Sequence, residues 1–383
     1  MFTSLGLLVL AGLLGPLLGA GKRLRVPVLV GELIGGIILG RTGLHLIDAG
    51  AQPFPVFASL GFAMLMLESG IEIDIGMLRG TAVRAGLTFL ATLLVAVPAG
   101  LAIGAWLGSP HAAFFIVLLV GSSAAVALPT IREEGLTGPA VALVVAWIAL
   151  ADAVTAVLMP LTLTSAGKIA VALLGDGLIV LAAALLIALG GRLFATGPAQ
   201  EAKRLSKQRH WALRLRLSVL MLLTLSAIAE HTGGSLLVAG FAAGIVLRRF
   251  RQPHRLALEL TGLATGFFVP AFFVLLGATL DLKGLISSPS AIALAVAMAA
   301  GATLAHTLAA IVTGGRQPLA SGLLASAQLG LPAAAAALGL ATGALGPPIA
   351  AALVAGGLLT LIPAIAGAIL LSGAAGATLP ERA

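Results

Sequence analysis

Pro139–Leu163 reads PAVALVVAWIALADAVTAVLMPLTL. The run exceeds the roughly 20 apolar residues a helix needs to span the hydrocarbon of a bilayer. One charge interrupts it, Asp152, and the nearest others in sequence are Glu134 and Lys168. A carboxylate at bilayer depth costs several kcal/mol, about 3 or more, unless it faces water, an ion or a partner. Such a group points to a proton relay, an ion site, or both.

The rest of the chain agrees with that reading. It is 60% hydrophobic and 9% charged, which is the composition of a polytopic membrane protein rather than a soluble domain. Apolar stretches at 2–20, 27–46, 55–71, 81–107, 111–131, 139–163, 177–195, 212–230, 234–249, 262–280, 290–313, 318–343 and 346–372 predict an all-α fold of about thirteen transmembrane helices. There is no cysteine, so thiolate metal sites and disulfides are excluded. No phosphate-binding loop, nucleophile elbow or zinc-protease helix is present, and no enzyme or cofactor is expected.

The net charge of +8 does not indicate nucleic acid, because the basic residues sit in short loops. Clusters occur at Lys22, Arg23 and Arg25, at Lys203 to Arg216, and at Arg248 to Arg255. With thirteen spans and the N-terminus outside, 19 of the 22 Lys and Arg face one side; only Arg41, Lys168 and Lys283 face the other. The positive-inside rule then places the N-terminus outside and the C-terminus in the cytoplasm of a bacterial inner membrane. The first apolar run lacks a basic leader and is expected to stay as an uncleaved helix. The whole of 1–383 reads as one transporter domain with no soluble regulatory domain after it.

The two halves resemble each other at an offset of roughly 205 residues. Gly36-Ile-Ile-Leu39 matches Gly244-Ile-Val-Leu247, and Gly70 to Asp74 parallels Gly277 to Asp281. Pro129 falls opposite Pro332, and Pro160 opposite Pro363. Repeat one is about 27–165, repeat two about 234–372, with a connecting helix and basic loop at 177–216. The offset contains an odd number of spans, so the repeats have inverted topology, as in many secondary transporters. Gly121 with Pro129 and Gly330 with Pro332 mark two corresponding broken helices. Non-helical backbone at membrane depth is tolerated where it is buried or lines a cavity. Opposite Asp152 the second repeat has Ala355-Gly356-Gly357, without an acid.

Other polar residues within spans are few. Ser122, Ser123 and Thr130 offer hydroxyl oxygens beside the first break, either as cation ligands or back-bonded to helix carbonyls. His306 is the one histidine well inside a span, a charge partner for a carboxylate or a neutral core residue. Glu68, Gln328 and Glu32 are candidates for an access path; Glu32 opens a span, where a helix dipole also explains it. Gly240-x-x-x-Gly244 reads as a close-packing signature.

Three of these segments carry a family resemblance. Pro27 to Gly40 (PVLVGELIGGIILG) resembles the second helix of bacterial monovalent cation:proton antiporters. Leu60 to Asp74 and Val269 to Leu282 look like two further signatures, in order, within a likeness running from about residue 5 to 370. The resemblance implies a thirteen-helix homodimer with a dimerisation domain, a mobile core domain, and two broken helices crossing beside an essential aspartate. Asp152 matches that aspartate, and Ala151 stands where a second polar or acidic residue is common. His306 falls where a lysine is frequent. The Gly-Glu pair common in the second broken helix is absent.

The expectation is an exchanger in which Asp152 holds either a proton or a Na⁺ or K⁺ ion, alternating between faces. His306 would balance the empty carboxylate, and the serines and crossing carbonyls would complete the cation shell. Partners are monovalent cations, protons and membrane lipids. Two alternatives stand beside it: a carrier of small organic anions with the same architecture, and a membrane sensor that transports nothing.

Overall fold

The computed structural model describes residues 2–20, 27–72, 75–109, 111–133, 135–164, 166–193, 201, 204–206, 209, 211–250, 254–315 and 317–376. Lys22, Arg23, Arg25, Asp74, Glu134, Lys203, Lys207 and Arg251 therefore lie outside the described residues, as does the side chain of Pro129.

In chain order the helices are α1 (Phe2–Gly12), α2 (Leu14–Gly19), α3 (Val28–Leu39), α4 (Phe54–Glu72), α5 (Ile75–Trp106) and α6 (Ala112–Val120). They continue with α7 (Ala124–Glu133), α8 (Pro139–Leu163), α9 (Ile169–Leu193), α10 (Leu213–Thr232), α11 (Leu236–Arg249) and α12 (His254–Leu263). A π-turn at Ala264–Phe268 leads to α13 (Val269–Thr279), then α14 (Leu282–Ser287), α15 (Pro289–Val312), α16 (Pro318–Ala325), α17 (Gly330–Ala341) and α18 (Pro347–Gly376). Every regular element among the described residues is helical, as expected.

Nine helical segments among the described residues are long and apolar enough to cross a membrane. The other four expected spans fall on shorter or more polar helices. Stretch 27–46 yields the twelve residues of α3, and 234–249 the fourteen of α11. Stretch 111–131 is split between α6 and α7, and α10 carries Arg214, Arg216 and Glu230. Boundaries move as well. The helix expected from 177 begins at Ile169, which brings Asp176 inside α9.

The chain forms two compact units, Met1–Ile73 with Thr164–Ala278, and Asp74–Leu163 with Thr279–Ala383. Each is built from two separate blocks of the chain, and the blocks of the second unit start 205 residues apart.

In the first unit, α11 lies along α4. Gly240 and Gly244 place its backbone against the carbonyls of Ala63 and Leu67, where any Cβ would collide. Lipid tails are as apolar as leucine, so helices in a bilayer associate through close packing rather than by escaping water, and small residues permit it. The second unit packs α18 against α15, α16 and α17. Ala333, Ala334, Ala335 and Ala336 of α17 are all buried, so this helix too approaches its neighbours closely. At the start of α15, Ser288 Oγ accepts the Ala291 N–H at 3.3 Å and Pro289 occupies the first turn, the usual chemistry of a helix N-terminus.

Candidate functional site

The broken helices lie where the glycines point, but their prolines are not the break. The first interruption is Gly121–Ser123, between α6 and α7, and the helix then continues through Pro129. The second is 326–329, between α16 and α17, with Pro332 in the first turn of α17, where its missing N–H costs nothing. Helix ends leave up to four carbonyls or N–H groups without intrahelical partners. In a membrane these groups must find partners elsewhere.

The two breaks supply each other. Gln328, 2% exposed, donates through Nε2 to the Leu118 carbonyl at 2.9 Å and to the Gly121 carbonyl at 2.5 Å. In return Ser122 Oγ donates to the Ala325 carbonyl at the end of α16, at 2.6 Å. The side chain of Leu331 fills the space above Gly121, so a Cβ there would collide with it. The interruptions are therefore in direct contact, at the crossing that the resemblance implied.

Asp152 lies in α8, half-buried, beside this crossing. Its Oδ2 accepts the N–H of Ala124, the first residue of α7, at 3.0 Å. A helix N-terminus attracts negative charge, worth roughly 0.3–2 kcal/mol according to burial. The N-terminus of α7 thus holds the carboxylate as a capping side chain would, from a different helix.

The other expected residues sort by their partners. Ser123 is 3% exposed, and its Oγ lies 3.8 Å from where a Cβ on Gly330 would stand, so it faces the start of α17. Thr130 donates to the Val126 carbonyl at 2.9 Å, the back-bonded arrangement. His306, on α15, is fully buried; its Nδ1 meets the Ala302 carbonyl at 2.8 Å and its ring stacks on Trp147 of α8 at 5.2 Å. His306 Nε2 has no hydrogen-bond partner of good geometry among the described residues, and the Val120 backbone lies beside the ring.

Glu68 and Glu32 belong to the other compact unit. Glu68 is half-buried in α4. Glu32 does not open α3 but lies beyond its first turn, 2% exposed, with its stem against Gly15 of α2.

Three polar residues escape a reading of the sequence. Thr360 of α18 accepts the Gln328 backbone N–H at 2.9 Å and donates to the Gly357 carbonyl at 2.6 Å. Trp147 supplies the surface on which His306 stacks. Asp176 of α9 is 5% exposed and accepts the Ser235 N–H at 2.8 Å, at the start of α11. Gly175-Asp176-Gly177 has the composition of a turn, which conceals Asp176; nothing local distinguishes Thr360 from the other threonines in apolar helices.

The fold that carries these crossed breaks has counterparts among known proteins. A sodium/hydrogen exchanger transmembrane family model matches residues 8–380. The chain belongs to the sodium/hydrogen exchanger family. It is accordingly an integral membrane protein. It is 25% identical over 304 residues to the putative Na(+)/H(+) antiporter YjbQ of Bacillus subtilis (strain 168), covering 73% of this chain and 47% of that one. The Na(+)/H(+) antiporter NhaS5 of Synechocystis is 27% identical over 295 residues, covering 76% and 42%. The chain thus spans about half the length of these curated relatives. The sodium proton antiporter MjNhaP1 of Methanocaldococcus jannaschii, solved at pH 8, shares the fold with a TM-score of 0.64 at 18% identity, covering 98% of this chain and 97% of that one.

Proposed function

We propose that this family member exchanges protons for monovalent cations, Na⁺ or K⁺, by alternating access, with Asp152 as the group for which H⁺ and the cation compete. The observation that carries the reading is the Asp152 carboxylate docked on the Ala124 N–H beside the crossing. An ionised carboxylate there offers a cation a full negative charge, and protonation removes that charge. One group cannot hold both, and this exclusion produces exchange once the site opens to the two faces in turn. The hydroxyl oxygens of Ser122 and Ser123 stand near the same break and are the further ligands on this reading. Ser122 keeps its lone pairs, because it spends only its hydrogen on Ala325. His306 acts as the balancing group when it is protonated, with Val120 and Trp147 around it. Thr130 is a weaker ligand candidate, since its hydroxyl is committed to its own helix.

Several finer features belong to the same proposal. The chain works as a homodimer, with its N-terminus outside and its C-terminus in the cytoplasm of a bacterial inner membrane. Two inverted repeats, about 27–165 and 234–372, make up the single transporter domain. Glu68 and Glu32 serve the access path on this reading.

The test is collapse of an imposed pH gradient in proteoliposomes on adding Na⁺, K⁺ or Li⁺. Wild type should dissipate the gradient with at least one of these, and Asp152→Asn with none. A response to organic acids and indifference to all three cations would identify an anion carrier instead.

A further inference from the structure

Half-helix carbonyl ends are where a broken-helix transporter can hold a cation, because each helix C-terminus carries about half a negative charge. In this chain such ends already have a resident donor. The Gln328 side chain is buried and neutral, and it makes two N–H bonds to the end of α6, at the Leu118 and Gly121 carbonyls. Its position is fixed from a third helix, since Thr360 Oγ1 accepts the Gln328 backbone N–H at 2.9 Å. Thr360 is itself oriented by donating to Gly357 and by its contact with the Gln328 carbonyl at 3.2 Å.

We infer that Gln328 is a positioning and specificity-determining residue: its side-chain amide occupies the carbonyl end of the first half-helix that a cation would otherwise use, and so confines the exchanged ion to the Asp152 side of the crossing. The inference rests on the exchanger reading and deepens it. An amide delivers two partial positive charges to the same oxygens without adding net charge. The end of α6 is thereby neutralised whether or not an ion is bound. A cation then meets the carboxylate and serine hydroxyls but not this carbonyl pair. Binding is weaker than the architecture permits, and release is correspondingly faster.

Gln328→Leu keeps the bulk and removes both donors, returning two carbonyl oxygens to the crossing. Proton flux in proteoliposomes and cation-induced thermal shifts in detergent would be measured with Na⁺, Li⁺ and K⁺. The expected result is a fall in cation KM of about three- to tenfold with slower turnover and a larger thermal shift, the size set by one or two hydrogen-bond equivalents. Thr360→Val, which removes the hydroxyl that accepts the Gln328 backbone N–H and donates to the Gly357 carbonyl but leaves the Gln328 side-chain amide in place, should move KM in the same direction by less, and Thr360→Ser should restore it. If Gln328→Leu does not fold, the Thr360 pair decides. Unchanged or higher KM for all three cations, with only yield or turnover reduced, would make Gln328 a structural brace and overturn the inference. That failure differs from failure of the exchanger reading, in which wild type itself shows no cation-dependent flux and no cation-dependent thermal shift.

Discussion

Two helices, α8 and α18, flank the crossing, and each lends a side chain to the backbone of one break. From α8 the carboxylate of Asp152 accepts the Ala124 N–H. From α18 the hydroxyl of Thr360 accepts the Gln328 N–H. The backbone task is the same, an N–H beside an interruption that has no intrahelical partner. One is met by an acid and the other by a neutral group. Capping a break inside this unit therefore does not require charge. Holding a carboxylate where a hydroxyl suffices costs several kcal/mol of desolvation unless something else uses the charge. Under the proposed exchange, the competing proton and cation are what use the charge of Asp152.

Neutralising the acid should break the comparison most severely. Asp152→Asn retains an oxygen to accept the Ala124 N–H but loses the charge. Cation-dependent proton flux should fall at least about a hundredfold, while the melting temperature of the purified protein stays within about 2 °C. A large loss of thermal stability would instead make the acid a structural element.

His306→Ala sharpens the packing side of the comparison. It empties the space against Trp147, and the large-to-small rule gives a loss of about 2–4 kcal/mol, read as a lower melting temperature. His306→Phe keeps the stack and should recover most of that stability. A flux defect that persists in His306→Phe would show that the imidazole acts on the exchanged charge and does not only fill space.

Smallest is Ser122→Ala, which removes one hydroxyl donor from the Ala325 carbonyl and should cost about 1 kcal/mol. If its cation KM rises together with that modest stability loss, the serine oxygen is a ligand as well as a tie between the breaks. A KM equal to that of wild type confines it to the second role.

The legibility of this molecule in its sequence divides along the range of the interactions. Membrane character and helical class arise from composition and run length, which are local. The site of the acid and the neighbourhood of both breaks are legible for the same reason: glycine, proline and an isolated carboxylate are conspicuous in apolar helices. Their use is not legible. Gln328 reads as an access residue in sequence, because its partners at Leu118 and Gly121 are more than 200 residues away. Thr360 looks like any threonine of an apolar helix until the second break is placed against it. Pro129 and Pro332 read, together with Gly121 and Gly330, as marking the breaks, whereas α7 runs through the first proline and α17 accommodates the second in its opening turn. The first interruption begins at Gly121 and the second ends just before Gly330, and the two prolines lie within the half-helices beyond them.

Competition at a single carboxylate can be observed without transport. Calorimetric titration of the purified protein with Na⁺ or K⁺, repeated in buffers of different ionisation enthalpy, counts the protons released as the ion binds. Wild type should release a substantial fraction of one proton per cation, with more cation needed as the pH falls, and Asp152→Asn should release none. Equal proton release from wild type and Asp152→Asn would contradict the assignment of Asp152 as the shared site.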